Sequence, residues 1–267
     1  MAFHYIGHVV DLTLLKGLRV LDHLARNNEP LGVSDLAREL GLTKSNAHRT
    51  LQTLADAGYI SRVDQRGRYA CTLKLFELGS AVVARTDIRQ IADPTMQALA
   101  SATKETIHLS ALDGRDVVYI HKIESPQPVR AYSSIGGRAP AHCVASGKAL
   151  LAFTRGSLEL FSDPLPTFSP RSLASVDALA KELETIRQSG VAINWGEWRE
   201  AVRGIAAPIF DATGTISGSI GISGPAERFS ETAIVEFIPD VVEAARAISG
   251  ALGHNVARAS AATPREN

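Results

Sequence analysis

Between residues 34 and 57 two short apolar stripes are separated by a single glycine, and this spacing limits the possible folds more than any other feature of the chain. Ser34 with Asp35 can cap a helix over residues 35–40, where Leu36, Ala37 and Leu40 form one stripe, and Gly41 supplies the tight turn. Thr43 then caps a helix running to about residue 57, with Ala47, Leu51 and Leu54 on one face. Lys44, Ser45, His48, Arg49 and Gln52 lie on or near the opposite face. Upstream, Leu14, Leu18, Leu21, Leu24 and Ala25 recur at helical spacing over residues 12–26, and Pro30 ends that segment. Three short helices with this turn read as a helix-turn-helix.

Two short extended runs follow Gly58, at residues 59–63 and 68–73, around the glycine-containing turn 64–67. That is a hairpin, and directly after the third helix it is the wing of a winged helix. Charge points the same way. The whole chain is neutral, with 28 Lys and Arg against 28 Asp and Glu, yet up to residue 86 there are 11 basic against 8 acidic residues. From residue 43 to 72, Lys44, Arg49, Arg62, Arg66 and Arg68 face only Asp56 and Asp64. A small basic patch on a neutral protein fits a DNA-binding module joined to something else. In such a module Arg49 can pair with guanine acceptors, Gln52 or Asn46 with adenine, and Ser45 and His48 with phosphate or base edges. Arg66 and Arg68 sit where a wing tip meets a phosphate backbone or a minor groove. The alternative for this module is a winged helix used only for protein contacts, with Lys44 and Arg49 as solvated surface.

Helical periodicity resumes over residues 74–84 and again over 87–102, which read as linker helices. From about residue 103 strands alternate with helices. Residues 106–112 and 117–123 flank an Asp113–Gly114 turn, 129–132 suggests a third strand, and a Gly- and Pro-containing loop, 133–142, opens a helix over 143–153. A helix over 176–189, strands near 191–195, 204–210 and 215–223, and a closing helix from 230 to about 253 complete the pattern. The order describes an α+β fold: an N-terminal winged helix-turn-helix at residues 1–73, linker helices at 74–103, an antiparallel sheet covered by helices at 104–253, and a small, polar tail at 254–267 that reads as disordered.

With 45% hydrophobic and 21% charged residues the composition is that of a soluble globular protein, which excludes a disordered or fibrous chain. The sequence has no apolar run of membrane-spanning length and no secretory leader pattern, so the expectation is a cytoplasmic protein without a membrane partner. Its two cysteines, Cys71 and Cys143, form no CxxC motif and suit a reducing compartment.

The loop entering the helix at Cys143 presents backbone N–H groups and a positive helix end, which favour an anion or a carbonyl oxygen. Equally, Gly147 and Lys148 there can simply allow close helix packing and carry a surface charge. Enzyme motifs fail. The Gly147-Lys148 pair lacks the flanking residues of a phosphate loop, and Ser219 has Ser217 where a nucleophile elbow needs glycine. His142 beside Cys143 suggests a thiol nucleophile, but sequence neighbours do not thereby face each other. His108, His121 and His142 lack metal-ligand spacing, and no cofactor motif is present. Glu197, Arg199, Glu200 and Arg203 read most simply as a salt-bridged surface or loop.

The stretch LGVSDLARELGLTKSNAHRTLQTLADAGYI, the loop GRAPAHCVASGKALLA, the segment GEWREAVRGIAAPIFD and the run GISGPAERF together resemble the IclR family of bacterial transcription regulators, over nearly the whole chain. The resemblance implies a winged helix, a linker helix that helps dimerisation, and a C-terminal GAF-like domain that binds a small effector against its sheet. The effector positions it implies are Asn194, Val202, Gly204, Gly221 and Ser223, with Ala145 and Ser146 at the mouth of the loop. Glycine at 204 and 221 leaves no side chain there to bond a carboxylate, while Trp195 and Trp198 offer an apolar wall. It further implies a repressor of a catabolic operon, released by a small organic acid or related metabolite. Such a regulator binds double-stranded operator DNA as a homodimer or a dimer of dimers. The alternative from another class is a Cys143-dependent hydrolase with an appended DNA-binding domain; a redox or metal switch using Cys71 and Cys143 is a third.

Overall fold

A computed structural model describes residues 11–27, 29–84 and 88–254. The expected tail, 254–267, lies outside the described residues except for His254. The chain divides into two compact units, Met1–Thr86 and Asp87–Asn267.

In the first unit α1 (Leu12–Arg26), α2 (Val33–Leu40) and α3 (Lys44–Asp56) precede a hairpin of β1 (Ile60–Arg62) and β2 (Tyr69–Cys71), and α4 (Lys74–Ala84) follows. Asp11 caps α1 by accepting the N–H groups of Thr13 and Leu14, and Thr43 caps α3 by accepting that of Asn46. Gly41 stands at φ 66°, the left-handed conformation that the tight turn requires. The core is Val20, Leu24, Leu36, Ala37, Ala47, Leu51, Ile60 and Tyr69. Backbone hydrogen bonds between Leu31 and Tyr69 in both directions attach the segment before α2 to the wing.

Two details differ from the sequence pattern. α2 begins at Val33 with Gly32 as an uncapped start, because half-buried Val33 packs into the core and draws Ser34 and Asp35 into the first turn. On α1, Val20 and Leu24 face the core, while Leu14 and Leu18 are 62% and 55% exposed. The helix is apolar on two sides.

The second unit is built on a six-stranded sheet in the order β5-β4-β3-β8-β7-β6, from β3 (Thr106–Asp113), β4 (Asp116–Ile123), β5 (Arg138–Pro140), β6 (Ala192–Asn194), β7 (Val202–Phe210) and β8 (Ile216–Pro225). Every pairing is antiparallel. Strand alternation sends Ile107, Leu109, Ile205, Ile209, Ile220 and Ile222 to one face, against α5 (Ile88–Thr103) and α8 (Glu231–Ala251). α6 (Ala145–Phe153) and α7 (Val176–Ser189) belong to a second core with Val117, Tyr119 and Ala206. The segment expected as a second linker helix is α5, whose Ile88, Ala92, Met96 and Leu99 belong to the core of this unit. Residues 129–132 form no strand: the third strand of that edge is β5, and the run before it crosses the surface with Val129 and Tyr132 exposed.

α6 sits close to the short 3-10 turn Ala141–Cys143, and glycine makes that approach possible. A Cβ at position 147 would stand 2.2 Å from the carbonyl oxygen of Ala141 and 2.4 Å from its Cα, both backbone atoms. Gly147→Ala is therefore expected to destabilise the second unit by about 2–3 kcal/mol and lower its thermal midpoint by roughly 5–10 °C, as differential scanning calorimetry would show. An unchanged midpoint would mean that the turn can retreat freely.

Candidate functional site

On α3 the core takes Ala47 and Leu51, leaving Lys44, Ser45, His48, Arg49 and Gln52 exposed and Asn46 half-buried. Two of these side chains are already ordered. Arg49 Nη2 donates to Asn46 Oδ1 at 2.8 Å, and Gln52 Nε2 donates to Asp56 Oδ1 at 2.8 Å. The wing separates its two arginines. Arg66 is exposed at the turn, whereas Arg68 Nε donates to Asp64 Oδ2 at 2.6 Å. The backbone N–H of Arg68, then its guanidinium, hold the Asp64 carboxyl below the usual carboxylate range. Arg68 therefore braces the turn instead of standing at its tip. Arg62, which belongs to the basic patch but has no DNA contact assigned from sequence, lies exposed over the Tyr69 ring at 5.7 Å.

In the second unit a cavity of about 50 Å³ opens at the first turn of α6, under the run 131–133. It is lined by seven of the residues expected from sequence: Ala145, Ser146, Asn194, Trp198, Val202, Gly204 and Ser223. Trp195 and Gly221 stand elsewhere. Trp195, one residue beyond Asn194 on an extended chain, turns to the opposite core, with the Arg203 guanidinium 5.4 Å from its ring. Gly221 is pressed against β7, where a Cβ would lie 2.5 Å from the carbonyl oxygen of Ile205. It serves strand packing.

The sequence reading missed His108, Tyr119, Tyr132, Ser133 and Arg199, which also line the cavity. The available signal was the alternation Thr106, His108, Ser110 in β3, which sends polar groups to one face. His108 is 4% exposed; its Nε2 and Ser223 Oγ are 2.8 Å apart, and Ser133 Oγ lies 3.5 Å from Nδ1. Burial, reinforced by the nearby Lys122 charge, lowers its pKa to about 3, so the ring is neutral. Burial pushes the Tyr119 hydroxyl up to about 12, partly opposed by Arg199. Val144, the N-cap of α6, supplies no side-chain cap, and it lines the cavity beside Ala145 and Ser146. The positive end of the helix borders the space.

One turn into α6, Lys148 is not a surface charge. It is 1% exposed, with Nζ donating to Glu182 and Glu197 at 2.8 Å each. Glu197, itself 5% exposed, accepts the backbone N–H of Trp195 through its other oxygen at 2.6 Å, so it too is interior and not a surface ion pair. Asn194 Oδ1 accepts the N–H groups of Gly196 and Glu197. These bonds fix the connection that carries Trp198 and Arg199 to the cavity.

Two family models match the chain: the IclR helix-turn-helix domain over residues 13–64 and the bacterial transcriptional regulator IclR C-terminal domain over residues 80–250. The chain belongs to the IclR family of bacterial transcriptional regulators. It is 37% identical over 246 residues to the HTH-type transcriptional regulator KdgR of Escherichia coli strain K12, covering 91% of this chain and 93% of that protein. Thermotoga maritima IclR superposes with a TM-score of 0.76 at 32% identity, covering 91% of this chain and 99% of that one. An IclR homologue from Microbacterium hydrocarbonoxydans, solved with 4-hydroxybenzoate, superposes with a TM-score of 0.77 at 26% identity, covering 90% and 98%.

An IclR-family chain is a regulator and not an enzyme, and the Cys143 geometry agrees. The thiol is fully buried, and burial, then the Glu197 charge, pushes it up to about 12, so no thiolate nucleophile forms near neutrality. The three histidines part company: His108 meets Ser223, His121 meets Asp93 and His142 meets the carbonyl of Pro166. Among the described residues no helix is long and apolar enough to cross a membrane.

His108 gives the cavity a pH signature. With a folded pKa near 3 against about 6.5 unfolded, the unfolded chain binds the extra proton between those values. Its contribution is complete above pH 6.5 and is lost as pH falls toward 3, with about 2 kcal/mol gone by pH 5. Urea unfolding at pH 7 and pH 5 should show a larger loss in the wild type than in His108→Gln; equal losses would place the protonation elsewhere.

Proposed function

We propose that the protein is an effector-released repressor of a catabolic operon, in which residues 1–73 bind operator DNA, α4 (Lys74–Ala84) leads on toward the second unit, and that unit, with α5 in its core, binds a small organic acid or related metabolite. The observation that carries this reading is the pairing, in one IclR-family chain, of a polar, exposed α3 face with a cavity at an uncapped helix start. Family members bind DNA and small effectors; the repressing sense follows the resemblance, and a cytoplasmic location suits that task. On the DNA side the roles fall to Lys44, Ser45, Asn46, His48, Arg49 and Gln52 on α3 and to Arg66 on the wing, with Arg68 supporting the turn. On the effector side they fall to Ala145, Ser146, Asn194, Val202, Gly204 and Ser223, joined by His108, Tyr119 and Arg199.

A homodimer, able to pair again, is supported by the apolar side chains of the first unit that nothing within it covers. Leu12, Leu14 and Leu18 on α1, and Leu73, Phe76 and Leu78 at α4, are all 45% or more exposed. Two-fold symmetry would match a palindromic or repeated operator.

Fluorescence anisotropy on DNA from upstream of the chain's own gene, with random DNA as control, separates the roles. Arg49→Ala should weaken specific binding by about 1–3 kcal/mol and blur discrimination at one base pair, whereas Arg66→Ala should weaken both DNAs alike and flatten the salt slope by about 1. Equal effects of the two changes on both DNAs would reverse the assignment, and no binding to any upstream fragment would move weight to a protein-contact role.

A further inference from the structure

The lining of the α6 cavity carries one formal charge. His108 is neutral, Tyr119 retains its proton, the lining contains no carboxylate and no lysine, and the remaining polar side-chain groups are hydroxyls, the amide of Asn194 and the indole N–H of Trp198. The exception is Arg199. Its guanidinium carbon lies over the Trp198 ring, 4.4 Å from the ring centre, a cation–π contact that steadies the group. Among the described residues no carboxylate comes within ion-pairing distance of it, although Asp and Glu side chains pair with Arg26, Arg38, Arg68, Arg138, Arg187 and Arg228. Its hydrogen bond is a 3.5 Å contact from Nη1 to the carbonyl of Tyr132, at the outer limit for such a bond, on the run that crosses the cavity. Arg199 is itself exposed, so the donors that this one long contact leaves over face water and are open to an incoming ligand.

We propose that Arg199 is the specificity-determining residue that reads the effector's negative charge, selecting a carboxylate over the matching neutral amide or alcohol. This rests on the reading of the cavity as the site for a small organic acid and adds to it the side chain that enforces the acid over its uncharged counterpart. The uncapped first turn of α6 contributes partial positive charge from backbone N–H groups but no net charge, so it favours any oxygen. Arg199 supplies the full charge and a fork shaped for two carboxylate oxygens. The neutral donors at Tyr119, Ser133 and Ser223 then meet hydroxyl or carbonyl oxygens elsewhere on the ligand, so a small acid that also carries such an oxygen fits better than a plain hydrocarbon acid.

The test is calorimetric titration of the full-length protein with two acids and their uncharged counterparts: 4-hydroxybenzoate against 4-hydroxybenzamide, and gluconate against glucitol. The wild type should bind at least one acid more tightly than its counterpart. Arg199→Gln should weaken that acid roughly ten- to hundredfold and leave the neutral compound unchanged, and Arg199→Lys should recover part of the loss because it restores charge without the fork. A wild type that prefers neither acid, or an Arg199→Gln variant that keeps full acid affinity, overturns the proposal. Val202→Phe, which crowds the cavity without altering charge, separates the two levels of the argument. If it abolishes acid binding while Arg199→Gln does not, the cavity is the effector site and Arg199 is not its charge reader. If acid binding survives both changes, the cavity itself is the wrong site.

Discussion

Lys148 sets the terms for the whole second unit. An ammonium group taken out of water costs several kcal/mol, so a chain that buries one must bring counter-charges to it and hold them there. Glu182 on α7 and Glu197 on the β6–β7 connection do so, and three separate parts of the chain thereby acquire one fixed register. Such triads add little net stability compared with an apolar core, but they tolerate few alternative arrangements. The second oxygen of Glu197 holds the N–H of Trp195, and the backbone carbonyl of Glu197 accepts the Ser172 hydroxyl at 2.6 Å. The cavity is what remains beside α6 once these bonds are made. It is lined by Asn194, Trp198 and Arg199 from the same connection, and by Ala145 and Ser146 one turn before Lys148.

The first unit solves a simpler problem. A small core of eight buried side chains holds α3 by Ala47 and Leu51, so its other face is free for polar groups. Order at that face comes from short-range pairs: Asn46 with Arg49, Gln52 with Asp56, and Asp64 with Arg68 in the wing turn. Long side chains restrained in this way lose less entropy on meeting DNA, although each pair must also be exchanged for a contact of comparable strength.

Local signals made most of the elements legible. The bounds of α1, α4 and α7 follow from periodicity with capping and terminating residues, and Gly41 and Thr43 announce the turn between α2 and α3. The misreadings share a cause, since each depends on what lies across space and not on neighbours in the chain. The run 129–132 is β-prone, yet β4 pairs with 138–140, leaving the earlier run on the surface. Lys148 and Glu197 look like surface charges because their partners are 34 and 49 residues away from Lys148. Trp195 and Trp198 look equivalent, but the bend after β6 sends the first to one core and the second to the other. Arg66 and Arg68 look equivalent until Asp64 claims one of them.

The size of the cavity carries a mechanical consequence. About 50 Å³ accommodates only a few water molecules, less than an organic acid of ten heavy atoms requires. An effector of that size enters only if part of the wall moves. The sheet floor is pinned by β-ladder bonds and α6 by Lys148, so the run 131–133 is the wall with least to lose. Its side toward Arg199 and His108 is held by two contacts of 3.5 Å each, although Lys122 Nζ also grips the Ser133 carbonyl at 2.6 Å. A ligand that takes over the Arg199 donors and the His108 ring nitrogen competes with those two long contacts and leaves the short one in place. Part of its binding energy then goes into displacing the run, and two arrangements of one wall with different affinity for the ligand are what a ligand-controlled regulator requires.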